Sequence, residues 1–217
     1  MGQKVNPTGF RMGHFRPWKS VWFSDGPEYR DLLLEDIKIR ERLMNRLDAA
    51  GIDNVEIVRL TKAMVIRLYV SRPGVVIGRG GSGIEDVKKD VLSVIKSVRG
   101  GEVPNLKIDI QVKEVKNPEL SAQLVASKIA FDLGRRMPHR RVVTRAMERV
   151  MQSGAKGVKV VLSGRIGGAE IARQEEKHDG SVPSQTLRAN VDFASVPVLL
   201  KRGYVGIKVW IHKKEEE

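Results

Sequence analysis

The stretch that most constrains this chain is Val75-Val76-Ile77-Gly78-Arg79-Gly80-Gly81-Ser82-Gly83-Ile84, an apolar run that turns through a Gly-x-x-Gly loop between a strand pattern and a helix pattern. Gly78 and Gly81 carry no Cβ to hold a phosphate away, and they reach backbone conformations that other residues resist. A sugar–phosphate chain can therefore come close. Amide groups opening the following helix face the anion and add their dipole, and Arg79 supplies a charge that needs no fixed geometry. This combination of residue types points to nucleic acid.

The loop resembles the signature of a KH domain, in which two short helices joined by Gly-x-x-Gly grip the backbone of about four single-stranded nucleotides. The same letters also satisfy Gly78-x-Gly80-x-x-Gly83, the dinucleotide fingerprint. A nucleotide-binding βαβ unit needs an acidic residue about twenty positions further on, at the end of the next parallel strand. Here Glu102 falls in a turn and Asp109 inside a short alternating strand, while Pro73-Gly74 breaks the run ahead of the glycines. The RNA loop is favoured over a dinucleotide site and over a purely structural turn.

Charge points the same way. Lys and Arg number 39 against 26 Asp and Glu, a formal net charge of +13, which suits a polyanionic partner. Anionic lipid would also be attracted to such a chain, but no apolar run approaches the roughly twenty residues of a membrane span, and no signal-peptide pattern opens the sequence. Met1-Gly2 is not followed by a myristoylation pattern, because Asn6 stands where Ser or Thr is required. The absence of cysteine excludes disulfides and thiolate metal sites. Histidines at 14, 139, 178 and 212 are too dispersed for a ligand cluster, and no nucleophile stands with a base. No enzyme chemistry, cofactor or metal is expected.

Organisation suggests an α/β (α+β) chain of two domains with flanking segments. Residues 1–25 form a polar, basic arm without helical or strand period, carrying Lys4, Arg11, Arg16 and Lys19 with no acid before Asp25. It reads either as a free tail or as an RNA-contacting arm, and Trp18, Trp22 and Phe23 favour docking, on RNA or on the protein's own sheet. Residues 26–115 carry a helix from Glu28 to a cap at Gly51, with Leu33, Ile37, Leu43 and Leu47 at helical period. Strands Val55–Leu60 and Ala63–Val70 follow, turning at Thr61-Lys62. Past the glycine loop a helix runs over Ile84, Val87, Val91, Val94, Ile95 and Val98, ends at Gly100-Gly101, and precedes an alternating strand from Leu106 to Val112. That order is the one found in a type II KH domain, with a three-stranded sheet packed on helices.

Residues 116–212 read as a second α/β domain, two helices on a β-sheet. A helix over Glu119–Leu133 ends at Gly134, and Pro138 starts the next, since a first turn tolerates its missing N–H. On this helix Val142, Val143, Ala146, Met147 and Val150 can face inward, while Arg141, Arg145 and Arg149 recur every fourth residue beside Arg140. Arg135 to Arg149 holds six Arg (135, 136, 140, 141, 145 and 149) and one Glu (148), a net charge of +5. This density favours a phosphate-tracking surface over a merely solvated face, and arginine's planar fork both pairs with phosphate and stacks on bases. Strands are expected at Val158–Ser163, Ala169–Lys177, Gln185–Phe193 and Tyr204–His212, with Arg165 and Arg173 as candidate phosphate contacts or solvent-facing side chains. Residues 213–217 form a charged tail.

Five stretches together resemble the bacterial small-subunit ribosomal protein number three family: Gly2 to Arg11, Val76 to Gly81, Gly154-Ala155-Lys156-Gly157, Ser163 to Arg173, and Gly206 to Ile211. The resemblance implies a structural component in the head of the small ribosomal subunit, located in the cytoplasm, with ribosomal RNA, messenger RNA and neighbouring small-subunit proteins as partners. It implies that Gly78, Arg79, Gly80 and Gly81 bind RNA, that Lys4, Arg11, Arg16, Lys19, Arg165 and Arg173 touch ribosomal RNA, and that Arg135, Arg136, Arg140, Arg141 and Arg145 face the channel through which messenger enters. Two departures stand out. Members of the family often hold lysine where this chain has Thr144, and many KH loops hold a basic residue at the place of Gly80, so that Arg79 is the loop's only charge. The alternative is a free-standing KH chaperone or regulator, which samples single strands and releases them.

Overall fold

A computed structural model describes residues 3–13, 15–60, 62–99 and 106–214. Gly2, His14, Thr61, Gly100, Gly101, Glu102 and the tail beyond Lys214 lie outside the described residues. Trp18–Lys116 form one compact unit, and the chain before Trp18 packs with the chain after Lys116 as the other. The arm expected over 1–25 is thus divided at Pro17, each part docked on a different unit.

In the first unit, β1 (Ser20–Val21), β2 (Ile52–Arg59), β3 (Ala63–Val70) and β4 (Lys107–Glu114) lie side by side in that order. β2 and β3 are antiparallel, while β1 and β4 run parallel to their neighbours. The sheet has four strands where three were expected; the fourth is the two-residue β1, whose sequence is too short to show any period. Two long helices, α2 (Glu28–Arg46) and α4 (Ser82–Val98), cover one face. Ile57, Met64, Ile66 and Leu68 from the sheet meet Ile39 and Leu43 of α2 and Val87, Val91 and Ile95 of α4 in the core. The short helix α3 (Pro73–Ile77) precedes the glycine loop.

The buried stripe of α2 differs from the one expected. Leu43 and Leu47 are buried, but Leu33 and Ile37 are 38% and 50% exposed, and Glu35, Asp36 and Ile39 take their place. The reason is an ion network. Arg59 donates to Glu35 Oε2 at 2.8 Å and to Asp36 Oδ1 at 2.6 Å, and Arg99 pairs with the other oxygen of Glu35. Ser20 Oγ and Trp22 Nε1 donate to Asp36 Oδ2 at 2.9 and 2.8 Å. Buried carboxylates persist only when so paired. Trp22 therefore docks as anticipated, whereas Trp18 and Phe23 are 63% and 86% exposed.

In the second unit all neighbouring strands are antiparallel, in the order β6 (Arg173–Gly180), β5 (Gly157–Gly164), β8 (Gly203–His212) and β7 (Val191–Leu200). Helices α5 (Ala122–Gly134) and α6 (His139–Gln152) pack on one face, where Val125, Ile129, Val143 and Val150 meet Val158, Val160, Ile207 and Val209. Ser121, rather than Glu119, opens α5, its hydroxyl accepting from Leu124 N–H, and Pro118–Leu120 form a 3-10 turn ahead of it.

Two strands are displaced along the sequence. β6 begins at Arg173 rather than Ala169, because a 3-10 turn over Ile166–Gly168, with Gly167 and Gly168 at φ 64° and 82°, delays it. β7 begins at Val191 rather than Gln185, because carbonyls of Thr186 and Ala189 are turned onto the guanidinium of Arg11. Arg11 ends a further helix that no sequence period announces, α1 (Pro7–Arg11), whose first amides are capped by the Asn6 side chain through Thr8 N–H at 2.9 Å.

Candidate nucleic-acid interface

The glycine loop is built by close backbone packing. Gly78 has φ 70° and ψ −177°, a region that side chains exclude, and a Cβ there would lie 2.9 Å from the Gly83 amide nitrogen. A Cβ on Gly83 would lie 2.4 Å from the Val76 carbonyl oxygen. These two glycines let α3 and α4 close on each other. Around Gly80 and Gly81 there is open space, with both residues at positive φ. The backbone left open is thus at Gly80-Gly81, while Gly78, expected to expose itself to the ligand, is turned toward Gly83. Gly83 was legible as the third glycine of the motif, though its packing role was not. Arg79 is exposed and has no acidic partner among the described residues.

The second candidate surface is α6. Val142, Val143, Ala146, Met147 and Val150 are buried, which fixes Arg140, Arg141 and Arg145 on the solvent side. Among the described residues these three make no ion pair. Arg135 lies 4.5 Å over the exposed ring of Phe131, and Arg136 is exposed with φ 62°. α5 ends at Gly134 as expected; beyond it Arg136 N–H donates to the Leu133 carbonyl and Met137 N–H to that of Asp132, so the left-handed residue that closes the end is Arg136, where such a cap is usually glycine. Thr144 Oγ donates to the Arg140 carbonyl at 2.9 Å and accepts from Lys177 Nζ at 2.9 Å. Lys177, on β6, could not be singled out from sequence, because a cation in a mixed-charge strand carries no local signal of what lies beside it.

The remaining candidates are scattered. Arg11 is 1% exposed and donates to carbonyls of Thr186, Ala189, Pro7 and Pro183 at 2.8 to 3.2 Å, so it is an internal anchor and leaves the set of RNA contacts. Arg16 is held by Asp192 at 3.2 Å and Asn190 at 3.0 Å. Asp192 also accepts from Ala122 N–H and pairs with Lys213. Burial pushes its carboxyl up, but Lys213, the Ala122 amide and Arg16 together outweigh burial and hold it below the ordinary range. Arg165 is half-buried and donates to the Ala169 carbonyl at 2.8 Å, and Arg173 pairs with Glu175 at 3.0 Å. Lys4 and Lys19 are exposed.

Fold and surfaces define a KH-containing RNA-binding protein with a second, arginine-faced α/β unit. Residues 38–120 match the KH domain family, and residues 129–211 match the family described as Ribosomal protein S3, C-terminal domain. Small ribosomal subunit protein uS3 of Caldicellulosiruptor saccharolyticus is 43% identical over 98% of this chain and 92% of its own length. The uS3 proteins of Persephonella marina and Pelagibacter ubique are 44% and 43% identical, over 100% and 99% of this chain and 92% and 91% of theirs. The chain belongs to the small ribosomal subunit protein uS3 family. It is a structural RNA-binding ribosomal protein and not an enzyme, which decides between the two function classes weighed from sequence. No helix among the described residues is long and apolar enough to cross a membrane.

Proposed function

We propose that this chain helps hold the head of the small ribosomal subunit together on ribosomal RNA, and that α6 lines the path by which messenger RNA enters. The observation that carries this is the outward row of Arg140, Arg141 and Arg145, fixed by a buried opposite face and lacking acidic partners among the described residues. Cations left unpaired on a rigid helix are preorganised for phosphate, because no internal ion pair has to break before RNA binds. Arg135 and Arg136 extend the row beyond the helix start. Gly80, Gly81 and Arg79 form a second contact, gripping a single strand at the KH loop, and Lys4 and Lys19, which make no ion pair among the described residues, add peripheral contacts to ribosomal RNA.

The test is the salt dependence of single-stranded RNA binding by the full chain. Replacing Arg140, Arg141 and Arg145 with Ala should flatten the slope of log K against log salt by about 0.7 for each phosphate that is no longer neutralised. An unaltered slope would reduce α6 to a solvated face. Messenger crosslinking in assembled subunits that is unaffected by the triple substitution would remove α6 from the entrance path.

A further inference from the structure

The exposed side of α6 consists of two rows at the four-residue spacing of a helix. One holds Arg141, Arg145 and Arg149; the other holds Arg140, Thr144 and Glu148. The second row loses its positive charge after its first member. It lies toward β6, where Glu175 meets His139 Nε2 at 3.0 Å and Lys177 meets Thr144 at 2.9 Å. Two strand residues advance about 6.7 Å and five helix residues about 7.5 Å, so successive side chains on this face of β6 keep step with the helix.

The Thr144 hydroxyl has one proton, given to the Arg140 carbonyl, so a lone pair is what it presents to Lys177. An ammonium group carries three N–H donors, and this contact takes one. Other cations nearby on the sheet are paired with acids: Arg173 with Glu175, whose carboxylate also meets the His139 ring, and Lys159 with Glu176. Lys177 has no acidic partner among the described residues.

We propose that Lys177 is a phosphate-contacting residue of the α6 surface, placed by the Thr144 hydroxyl to supply from the sheet the cation that the helix lacks at that position. Thr144 is a positioning residue. The ligand chemistry is the phosphate of a single RNA strand lying across both α6 and the β6 edge. This rests on α6 being an RNA surface, and the experiment separates the two.

Binding of a fluorescent oligouridine to the full chain is followed against salt, with unchanged thermal melting as the control for folding. Lys177→Gln should flatten the salt slope by about 0.7, the share of one single-strand phosphate, while Lys177→Arg should preserve it. Thr144→Val should weaken binding through loss of placement, and Lys177→Gln combined with Thr144→Lys should restore the slope. If Arg140→Ala with Arg141→Ala flattens the slope and Lys177→Gln leaves it untouched, the Lys177 proposal is overturned while the α6 surface stands. If neither does, both fall. A diazirine-bearing lysine analogue at position 177 in assembled subunits then distinguishes messenger from ribosomal RNA by the sequence captured, and capture of protein alone would overturn the assignment.

Discussion

The N-terminal segment and helix α6 use arginine in opposite directions. Arg11 and Arg16 turn into the C-terminal unit, where backbone carbonyls, Asn190 and Asp192 surround them. Arg140, Arg141 and Arg145 stand on a helix whose other face is sealed into the core, and they meet solvent. A formal charge of +13 says nothing of this division. What separates the two groups is whether polar acceptors of the protein's own fold reach the guanidinium first. An arginine of the first kind has its donors occupied within the fold, while one of the second kind keeps them free for an outside anion.

Removal of Arg59 should have the largest effect, its side chain being the least exposed of the ion-paired arginines among the described residues. Glu35 and Asp36 have fully buried side chains and share this guanidinium, itself 8% exposed. Arg59→Ala leaves two carboxylates buried with partial compensation from Arg99, Ser20 and Trp22, and should cost the KH unit about 3–5 kcal/mol. Chemical denaturation monitored through Trp22 measures it. A loss below about 1 kcal/mol would mean that water replaces the guanidinium without difficulty.

Arg11→Met comes next. It keeps much of the side chain's apolar stem but strands the carbonyls of Thr186, Ala189 and Pro183, and should destabilise the C-terminal unit by about 2–3 kcal/mol while leaving the salt slope of RNA binding unchanged. A flattened slope with intact stability would move Arg11 into the RNA-facing class.

These two arginines also mark what the sequence could and could not convey. The glycine loop and the amphipathic face of α6 are local patterns: neighbours within five residues determine them, so both were legible. Apart from the Pro7 carbonyl, the partners of Arg11 are more than 170 residues away, and those of Arg59 sit on another element at positions a hydrophobic period would assign to leucine. The apolar repeat Leu33, Ile37 misplaced the stripe of α2 because two acids, satisfied by distant cations, could be buried in preference. Lys177 beside Thr144 is the same kind of long-range fact. Strand limits at Ala169 and Gln185 failed for a related reason, since Ile171 and Thr186, whose side chains suit a strand, lie instead behind a glycine turn and in the Arg11 carbonyl cage.

Asp192 tests the inward class from the acidic side. Its carboxyl is depressed in the folded chain, so its contribution is fully present above the unfolded value of about 3.9 and is lost as pH falls through the lower folded value. Stability of the C-terminal unit should therefore decline on acidification below about pH 4. Asp192→Asn should lower stability at neutral pH and make that decline shallower. An acid limb of unchanged steepness in the variant would show that Arg16 and Lys213 are not fastened through this carboxylate.

Arg136 stands between the classes and should give the smallest effect: it is exposed like the arginines of α6, yet conformationally strained within the fold. At φ 62° it occupies a region that disfavours L-residues by about 1–2 kcal/mol. Glycine fits the same cap without that strain, although it gives back part of the gain as unfolded-chain entropy. Arg136→Gly should therefore raise stability by up to about 1 kcal/mol and weaken RNA binding in the same molecule. A gain in stability with unchanged RNA affinity would remove Arg136 from the phosphate surface. Lost stability would mean instead that its side chain holds the turn between α5 and α6, which would place it with Arg11 and Arg59.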